Sequence, residues 1–240
     1  MIQVKKSNPL YEQIYENIKE SIIKGDFKSG ERIVDGWIAE KLGVSRSPVR
    51  EAFRKLEQDG LLVNQDGTTL VYKPNVEDLI DLFEVRAGLE GMAIFLATKK
   101  ITDEELQELE ESLVRVKKAI EERNTAEVIK LNTFFHGSIV KISGNSRLQE
   151  MMGKINNLIL LYRNNFFAKY YGDDVFIEEH YDLFNALKSG NAEAASEKMR
   201  LHILNDLVHL KEKLKHHQEE KPICLEGSKR MTAIWEKYLD

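Results

Sequence analysis

Residues 39–53 read AEKLGVSRSPVREAF, a pattern that predicts one helix, a tight turn at Gly43 and a second helix. Pro48 suits the first turn of that second helix, and we expect the hydroxyl of Ser45 or Ser47 to cap the same turn. Arginines recur every four residues on its outer face, at positions 46, 50 and 54. The pattern is typical of a helix-turn-helix that reads DNA, although arginines at this spacing also occur on solvated helices that bind nothing.

The flanking sequence extends this unit in both directions. After Gly60, two short β-prone runs surround Asp66-Gly67, which is a strong signal of a hairpin turn. Before it, apolar residues at helical spacing predict a supporting helix over residues 11–24. A helix-turn-helix followed directly by a hairpin is a winged helix, and we assign it to residues 1–74.

The winged helix resembles the DNA-binding domain of the GntR family of bacterial transcription regulators. The resemblance rests on Gly30, the run Leu42–Ala52, Leu56, Gly60-Leu61 and Gly67. It implies that the start of the recognition helix contacts bases or phosphates and that the wing glycine enters the minor groove. The candidate DNA-binding residues are therefore Ser45, Arg46, Ser47, Arg50, Arg54 and Gly67. Gly36 departs from the family, which often places a charged residue there.

Composition sets the outer bounds on function. The 240 residues, 42% hydrophobic and 31% charged, are typical of a soluble protein with two domains. We expect a cytoplasmic protein with no membrane partner, because the chain has neither a long apolar run nor a signal-peptide core, and its single cysteine excludes an internal disulfide. The net charge is −5, yet the acidity lies after residue 74, so the winged helix can still bind phosphates.

The rest of the chain predicts an all-α antiparallel bundle over residues 75–215, so the protein is mainly α. Six helices are expected at about 76–99, 102–123, 125–143, 146–167, 175–189 and 192–215. A capping box at Thr102 and Glu105 marks the start of the second. Residues 216–240 form a C-terminal tail, whose last part has apolar residues at the spacing of a short amphipathic helix.

Histidines on three bundle helices form the second signal. Asn132 and His136 share the inward face of one predicted helix, while His180 and His202 each lie on the apolar stripe of another. Three imidazoles that converge from facing helices are suited to a divalent metal such as zinc. The alternative is that each histidine is an ordinary hydrogen-bonded residue of the core.

This domain resembles the FCD effector domain of the FadR subgroup, many members of which bind a metal through an Asp-x-x-x-His pair and two later histidines. The matching residues are Glu84-Val85-Arg86, Phe135-His136, Gly144-Asn145, Glu179-His180 and His202. The resemblance implies a divalent metal, zinc with nickel or manganese as alternatives, held by Asn132, His136, His180 and His202. Asn132 replaces the family's aspartate, so we expect it to be a weak or water-bridged ligand.

A cation inside a helical cavity attracts small carboxylates. Arg86 and Arg163 lie on largely apolar helices, and either could clamp a carboxylate, although ion pairs with the abundant acidic residues are an equally good interpretation. The resemblance implies that an organic or sugar acid is sensed rather than consumed. We therefore expect a homodimeric transcription regulator, by default a repressor, whose DNA partner is a double-stranded operator.

Two alternatives belong to other functional classes. A metalloenzyme would also use three histidines with open coordination positions, but no convincing general base is present. Glu179 adjoins His180, yet neighbouring helix residues point about 100° apart. An architectural DNA-binding protein would have no ligand at all.

Overall fold

The computed structural model describes residues 9–163 and 174–220, with side chains placed through 163 and from 177 to 211. The chain divides into two compact units, whose described parts are residues 9–74 and residues 75–163 with 174–220. Both are mainly helical, as the sequence predicts.

The first unit is a winged helix. Its helices are α1 (Leu10–Lys24), α2 (Asp35–Lys41) and α3 (Arg46–Gln58), and its strands are β1 (Leu62–Gln65) and β2 (Thr68–Val71). The strands pair antiparallel, from Leu62 opposite Val71 to Gln65 opposite Thr68. Ile18 of α1 is fully buried together with Val49 and Leu56 of α3, so the apolar side of the recognition helix fixes it to the supporting helix.

Two tight turns position this unit's functional surfaces. Gly43 adopts a φ of +63° between α2 and α3, a conformation that glycine tolerates without strain. Asp66 and Gly67 both have positive φ in the hairpin, which is the type I′ geometry that the Asp-Gly pair predicts. Of the two serines expected to cap α3, Ser45 occupies the N-cap position, but its side chain makes no capping hydrogen bond.

The second unit contains six helices among the described residues. They are α4 (Val76–Thr98), α5 (Asp103–Glu121), α6 (Thr125–Ile142), α7 (Ser146–Tyr162), α8 (Asp174–Lys188) and α9 (Ala192–Glu220). The predicted capping box of Thr102 and Glu105 is present. The final helix continues to Glu220 instead of ending at 215, while the predicted end of α7 at 167 and the predicted tail helix lie outside the described residues.

Helix α4 packs along α9 at the centre of the bundle, and these helices run antiparallel. An ion pair joins Arg86 to Asp206, whereas Gly91 lies against Arg200. The surrounding core is apolar, with Phe83, Phe135 and Ile203 fully buried. Within it lies a group of buried polar residues, which must be paired or bind a ligand because burial of an unsatisfied polar group is costly. They are Arg86, Glu90, Asn132, His136, Arg163, His180, His202 and Asp206.

Candidate DNA interface and metal centre

The exposed face of α3 carries the residues that the sequence predicts for DNA contact. Ser45 and Ser47 lie at the start of the helix, and Arg46, Arg50 and Arg54 follow along one side. All five are exposed, whereas Val49, Ala52, Phe53 and Leu56 of the same helix are buried. The structure therefore brings the predicted residues together on one open surface.

Contacts with α2 hold two of these arginines in place. Arg50 Nε donates to Asp35 Oδ2 at 2.6 Å, and this hydrogen bond lowers the pKa of Asp35 below its usual range. The guanidinium of Arg46 lies over Gly36, where an added Cβ would approach Arg46 Nη2 to 2.8 Å. The family departure at Gly36 thus leaves room for a neighbouring arginine.

The wing presents its turn to solvent. Gly67 is exposed, and its backbone N–H donates to Asn64 Oδ1 at 3.1 Å, which stabilises the turn from within the hairpin. The absence of a side chain leaves the wing tip narrow.

The three predicted histidines converge in the second unit. His136 of α6, His180 of α8 and His202 of α9 are buried, and their candidate ligand atoms all lie within 4.8 Å of one another. His136 and His202 stack with ring centroids 5.4 Å apart, and His180 meets His202 edge-on at 4.6 Å. The structure therefore brings together the three histidines that helix periodicity and the family resemblance both indicated.

Carboxylates fix the outer nitrogen of two of these rings. His136 Nδ1 lies 2.5 Å from Glu90 Oε2, and His202 Nδ1 lies 2.7 Å from Glu179 Oε2. The Nε2 atoms of His136 and His202 are buried and have no hydrogen-bond partner in the described part of the chain. This is the arrangement of a metal-binding histidine, whose second ring nitrogen donates to a carboxylate.

The fourth predicted ligand lies beside the third histidine. Asn132 is buried, and its Oδ1 lies 2.8 Å from His180 Nε2. The amide thus reaches the same cluster from α6, one turn before His136. The structure brings all four predicted ligand residues together.

The predicted effector arginines occupy different surroundings. Arg86 is fully buried, with its Nε 2.6 Å from Glu90 Oε1 and its Nη1 3.3 Å from Asp206 Oδ2. Arg163 is also buried and donates from Nη1 to Thr133 Oγ1 at 3.3 Å. Arg86 therefore forms the ion pairs that the sequence offered as its alternative role, but in the core rather than at the surface.

Charge and burial set the protonation of the Glu90–His136 pair. Burial alone would raise the pKa of Glu90, but Arg86 and the hydrogen bond with His136 outweigh it and hold that pKa well below its usual range. Burial lowers the pKa of His136 to about 4, although Glu90 acts in the opposite direction. Near neutral pH, Glu90 is therefore charged and His136 is a neutral imidazole with one N–H.

A cavity of about 220 Å³ adjoins the cluster. It opens between α4, α6 and α7, and its polar lining comes from Glu90, Thr133, His136, Gln149, Asn156 and Arg163. Val140, Met152 and Ile159 supply apolar walls. A space of this size, lined by one arginine, one carboxylate and several uncharged polar groups, suits a small polar molecule.

Sequence reasoning missed the acidic partners of the histidines. Glu179 was set aside because it points away from His180 on its own helix, but its carboxylate reaches His202 on α9. Glu90 lies four residues after Arg86, and Asp206 lies four residues after His202. Each acidic residue therefore shares a helix face with a residue that the sequence analysis had already selected. An acidic residue at this spacing on an otherwise apolar helix face is the sequence signal that could have identified Glu90 and Asp206.

Comparison with known proteins identifies the two units. The sequence matches the family described as "Bacterial regulatory proteins, gntR family" over residues 10–70 and the FCD domain over residues 81–205. The HTH-type transcriptional regulator YdhC of Bacillus subtilis strain 168 is 36% identical over 219 residues, which cover 89% of this chain and 96% of YdhC. The chain belongs to the GntR family. Its FCD domain fits the FadR-like subgroup.

One further relative is also a transcription regulator, and one solved structure shares the fold. The transcriptional repressor RspR of Escherichia coli K12 is 23% identical over 202 residues, which cover 84% of this chain and 89% of RspR. The solved structure of E. coli McbR/YncC superimposes with a TM-score of 0.72 at 24% identity, covering 90% of this chain and all of that one, and so supports the fold. The gntR family and the relative YdhC are transcription regulators, which confirms that the chain is a regulator and not an enzyme.

The two matched families also indicate which classes of partner this protein binds. The GntR helix-turn-helix implies DNA binding, and the FCD domain implies a small-molecule effector. Among the described residues, no helix combines the length and apolar character needed to span a bilayer.

Proposed function

We propose that this protein is an operator-binding repressor that senses a small organic or sugar acid through a divalent metal in its helical bundle. The observation that carries the proposal is the buried Nε2 atom of His136 and that of His202, which have no hydrogen-bond partner among the described residues. The candidate ligand atoms of these two histidines and His180 lie within 4.8 Å of one another. A buried polar atom without a partner is rare in a folded protein. A metal ion accounts for both atoms at once, whereas an ordinary polar core would leave them unsatisfied.

Zinc is the metal that this donor set favours. Three imidazole nitrogens suit zinc and nickel, and the amide oxygen of Asn132 is a weaker fourth ligand that adds no charge. Manganese prefers more oxygen ligands, so it ranks behind the other two. The bound cation would supply the positive charge that attracts an acidic effector.

Arg163 is the residue that we propose to clamp the effector's carboxylate. It lines the same cavity as His136, so one ligand could reach both the metal centre and the guanidinium. Thr133, Gln149 and Asn156 offer hydrogen bonds to hydroxyl groups, which favours a hydroxy or sugar acid. Arg86 suits this role less well, because its guanidinium already forms ion pairs with Glu90 and Asp206. A direct contact between Arg86 and the effector stays an untested prediction.

The winged helix would read the operator through the exposed face of α3. We propose that Arg46, Ser47 and Arg50 contact bases or phosphates, that Ser45 and Arg54 add phosphate contacts, and that the wing tip at Gly67 enters the minor groove. The hydrogen bond to Asp35 leaves the terminal nitrogens of Arg50 available for a base edge. The name of the relative RspR supports repression.

A second copy of this chain is the proposed partner of the outer face of α4 and α9. Val85 and Met92 of α4 expose 51% and 50% of their surfaces, and Leu201 and Val208 of α9 expose 52% and 56%. Each pair is spaced by seven residues, so it forms a stripe along one helix face. Apolar stripes on two neighbouring helices are typical of a symmetric dimer interface, which would present two winged helices to a palindromic operator.

The dimer is tested by a charge placed on this face. We expect Val208→Asp to shift the protein from dimer to monomer in light scattering and to weaken operator binding. Val114→Asp, at an apolar residue of α5 that is 58% exposed, is the matched control and should stay dimeric. A dimer that survives Val208→Asp would place the interface elsewhere.

The effector proposal is tested on protein purified without chelators. Metal analysis should find close to one zinc per chain in the wild type and little in His202→Ala. A thermal-shift screen of small acids should then find a compound that stabilises the zinc-loaded protein and releases it from selected operator DNA, with Arg163→Ala losing that response. An architectural DNA-binding protein would contain no metal and ignore every acid.

A further inference from the structure

We propose that Glu90 and Glu179 are positioning residues of the metal centre. Each accepts the Nδ1–H of one histidine and so turns the bare Nε2 of that ring inward, and the two carboxylates supply negative charge that the ligands themselves lack. The inference rests on the proposed metal at His136, His180 and His202. Neither carboxylate belongs to the proposed set of metal ligands.

The hydrogen bonds select the tautomer of both rings. A neutral imidazole carries one N–H, and a carboxylate can only accept it, so Glu90 at 2.5 Å and Glu179 at 2.7 Å place the proton on Nδ1. The lone pair is then on Nε2 of His136 and His202, the atoms that lack a hydrogen-bond partner among the described residues. Both rings are therefore set for a cation before it arrives.

His180 differs from the other two histidines, because the nitrogen that would bind the metal already has a hydrogen-bond contact. Its Nε2 lies 2.8 Å from the Asn132 amide oxygen, so the two candidate ligand atoms are directed at each other. A cation would have to replace this contact. His136 and His202 need no such exchange, because their hydrogen bonds lie on the outer side of the ring.

The two carboxylates also compensate charge at the proposed metal centre. The four proposed ligands are neutral, and a divalent cation inside a protein needs compensation. Around them stand three carboxylates, on Glu90, Glu179 and Asp206, and the guanidinium groups of Arg86 and Arg163. Together these groups carry one net negative charge, and the net charge becomes zero when a neutral residue replaces Glu179.

The position of Glu179 makes the proposal testable. It is half-buried on α8, so a substitution creates no cavity in the core, and its other oxygen accepts from Asn205 Nδ2 at 2.8 Å. Asp182, about one turn further along α8, makes a similar bridge to α9 through Lys198 at 3.1 Å and has no hydrogen bond with a histidine among the described side chains. Asp182 is therefore a matched control for the loss of a carboxylate between α8 and α9.

The experiment measures zinc binding to full-length apoprotein by competition with a chromophoric chelator. We expect Glu179→Ala to weaken zinc binding by about 10- to 100-fold, the range for loss of an outer-shell partner. Glu179→Gln should lose less, because its amide oxygen still accepts from Nδ1–H while bringing no charge. Asp182→Ala and Asp182→Asn should bind zinc as the wild type does. Glu90→Gln should weaken binding in the same direction as Glu179→Gln.

A second readout is independent of zinc. In ¹⁵N imidazole spectra of the apoprotein, His202 should be the Nδ1–H tautomer in the wild type and in Glu179→Gln, and a mixture of tautomers in Glu179→Ala. Wild-type zinc affinity and an unchanged tautomer in Glu179→Ala would overturn the inference. An equal loss in the Asp182 variants would also overturn it, since the effect would then be one of helix packing. A wild type that binds no zinc would instead refute the metal centre of the proposed function, while the tautomer result would still stand alone.

Discussion

Replacement of His136 by glutamine should make the free energy of unfolding of the metal-free protein depend less on pH between pH 7.5 and pH 5. Burial lowers the pKa of His136 from 6.5 to about 4, despite the opposing effect of Glu90. Between these values the unfolded chain binds a proton at this residue and the folded chain does not. Acid therefore favours the unfolded state, and the stability that this histidine contributes is complete above pH 6.5 and is lost as the pH falls toward 4.

The size of the effect follows from the two pKa values. A difference of about 2.5 pKa units corresponds to about 3 kcal/mol once the pH is below 4, and about 2 kcal/mol of this should be lost by pH 5. The carboxyl of Glu90 shifts in the same direction, but its unfolded pKa of 4.5 places its contribution at lower pH. The interval from pH 7.5 to pH 5 therefore separates the contribution of His136 from most of that of Glu90, and the comparison with the variant removes the contributions of the other histidines. A typical domain has about 5–15 kcal/mol of total stability, so the change is measurable.

The assay is urea unfolding at pH 7.5, 6.5 and 5.0 in the presence of a chelator, with wild type and His136→Gln in parallel. Glutamine is a suitable substitute because its side-chain amide can still donate to Glu90 and does not titrate. We expect the wild type to lose about 2 kcal/mol more than the variant between pH 7.5 and pH 5. Parallel curves would mean that His136 has the same pKa in both states, and the argument from burial would fail.

Three further predictions concern other residues. Arg50→Ala should weaken specific operator binding by about 1–3 kcal/mol in gel-shift titrations without lowering the melting temperature, and an unchanged affinity would remove Arg50 from the interface. Arg86→Met should cost about 3–5 kcal/mol in urea unfolding because it leaves Glu90 and Asp206 uncompensated in the core; a loss below 1 kcal/mol would contradict a buried ionic network. Asn132→Asp should tighten zinc binding in chelator competition by adding a charge to the ligand set, and equal or weaker binding would exclude position 132 as a ligand.

The winged helix could be predicted because its signals are local. Gly43 and Asp66-Gly67 specify turns through backbone conformations that few other residues adopt, and the periodicity of α3 separates its buried and exposed faces within four turns. The capping box of Thr102 and Glu105 likewise spans four residues. Such features depend on the chain within about one turn of each residue, so the sequence alone contains them.

The centre of the bundle could be predicted only in part. Periodicity placed His136, His180 and His202 on inward faces, but their partners depend on which helices lie side by side. Glu179 points away from His180 along its own helix and still meets His202 of the proposed metal site, because α9 packs against α8 there. Arg86 pairs with Asp206 from 120 residues away. Helix geometry fixes the direction of a side chain relative to its own axis, and only the packing of the helices decides what that side chain meets.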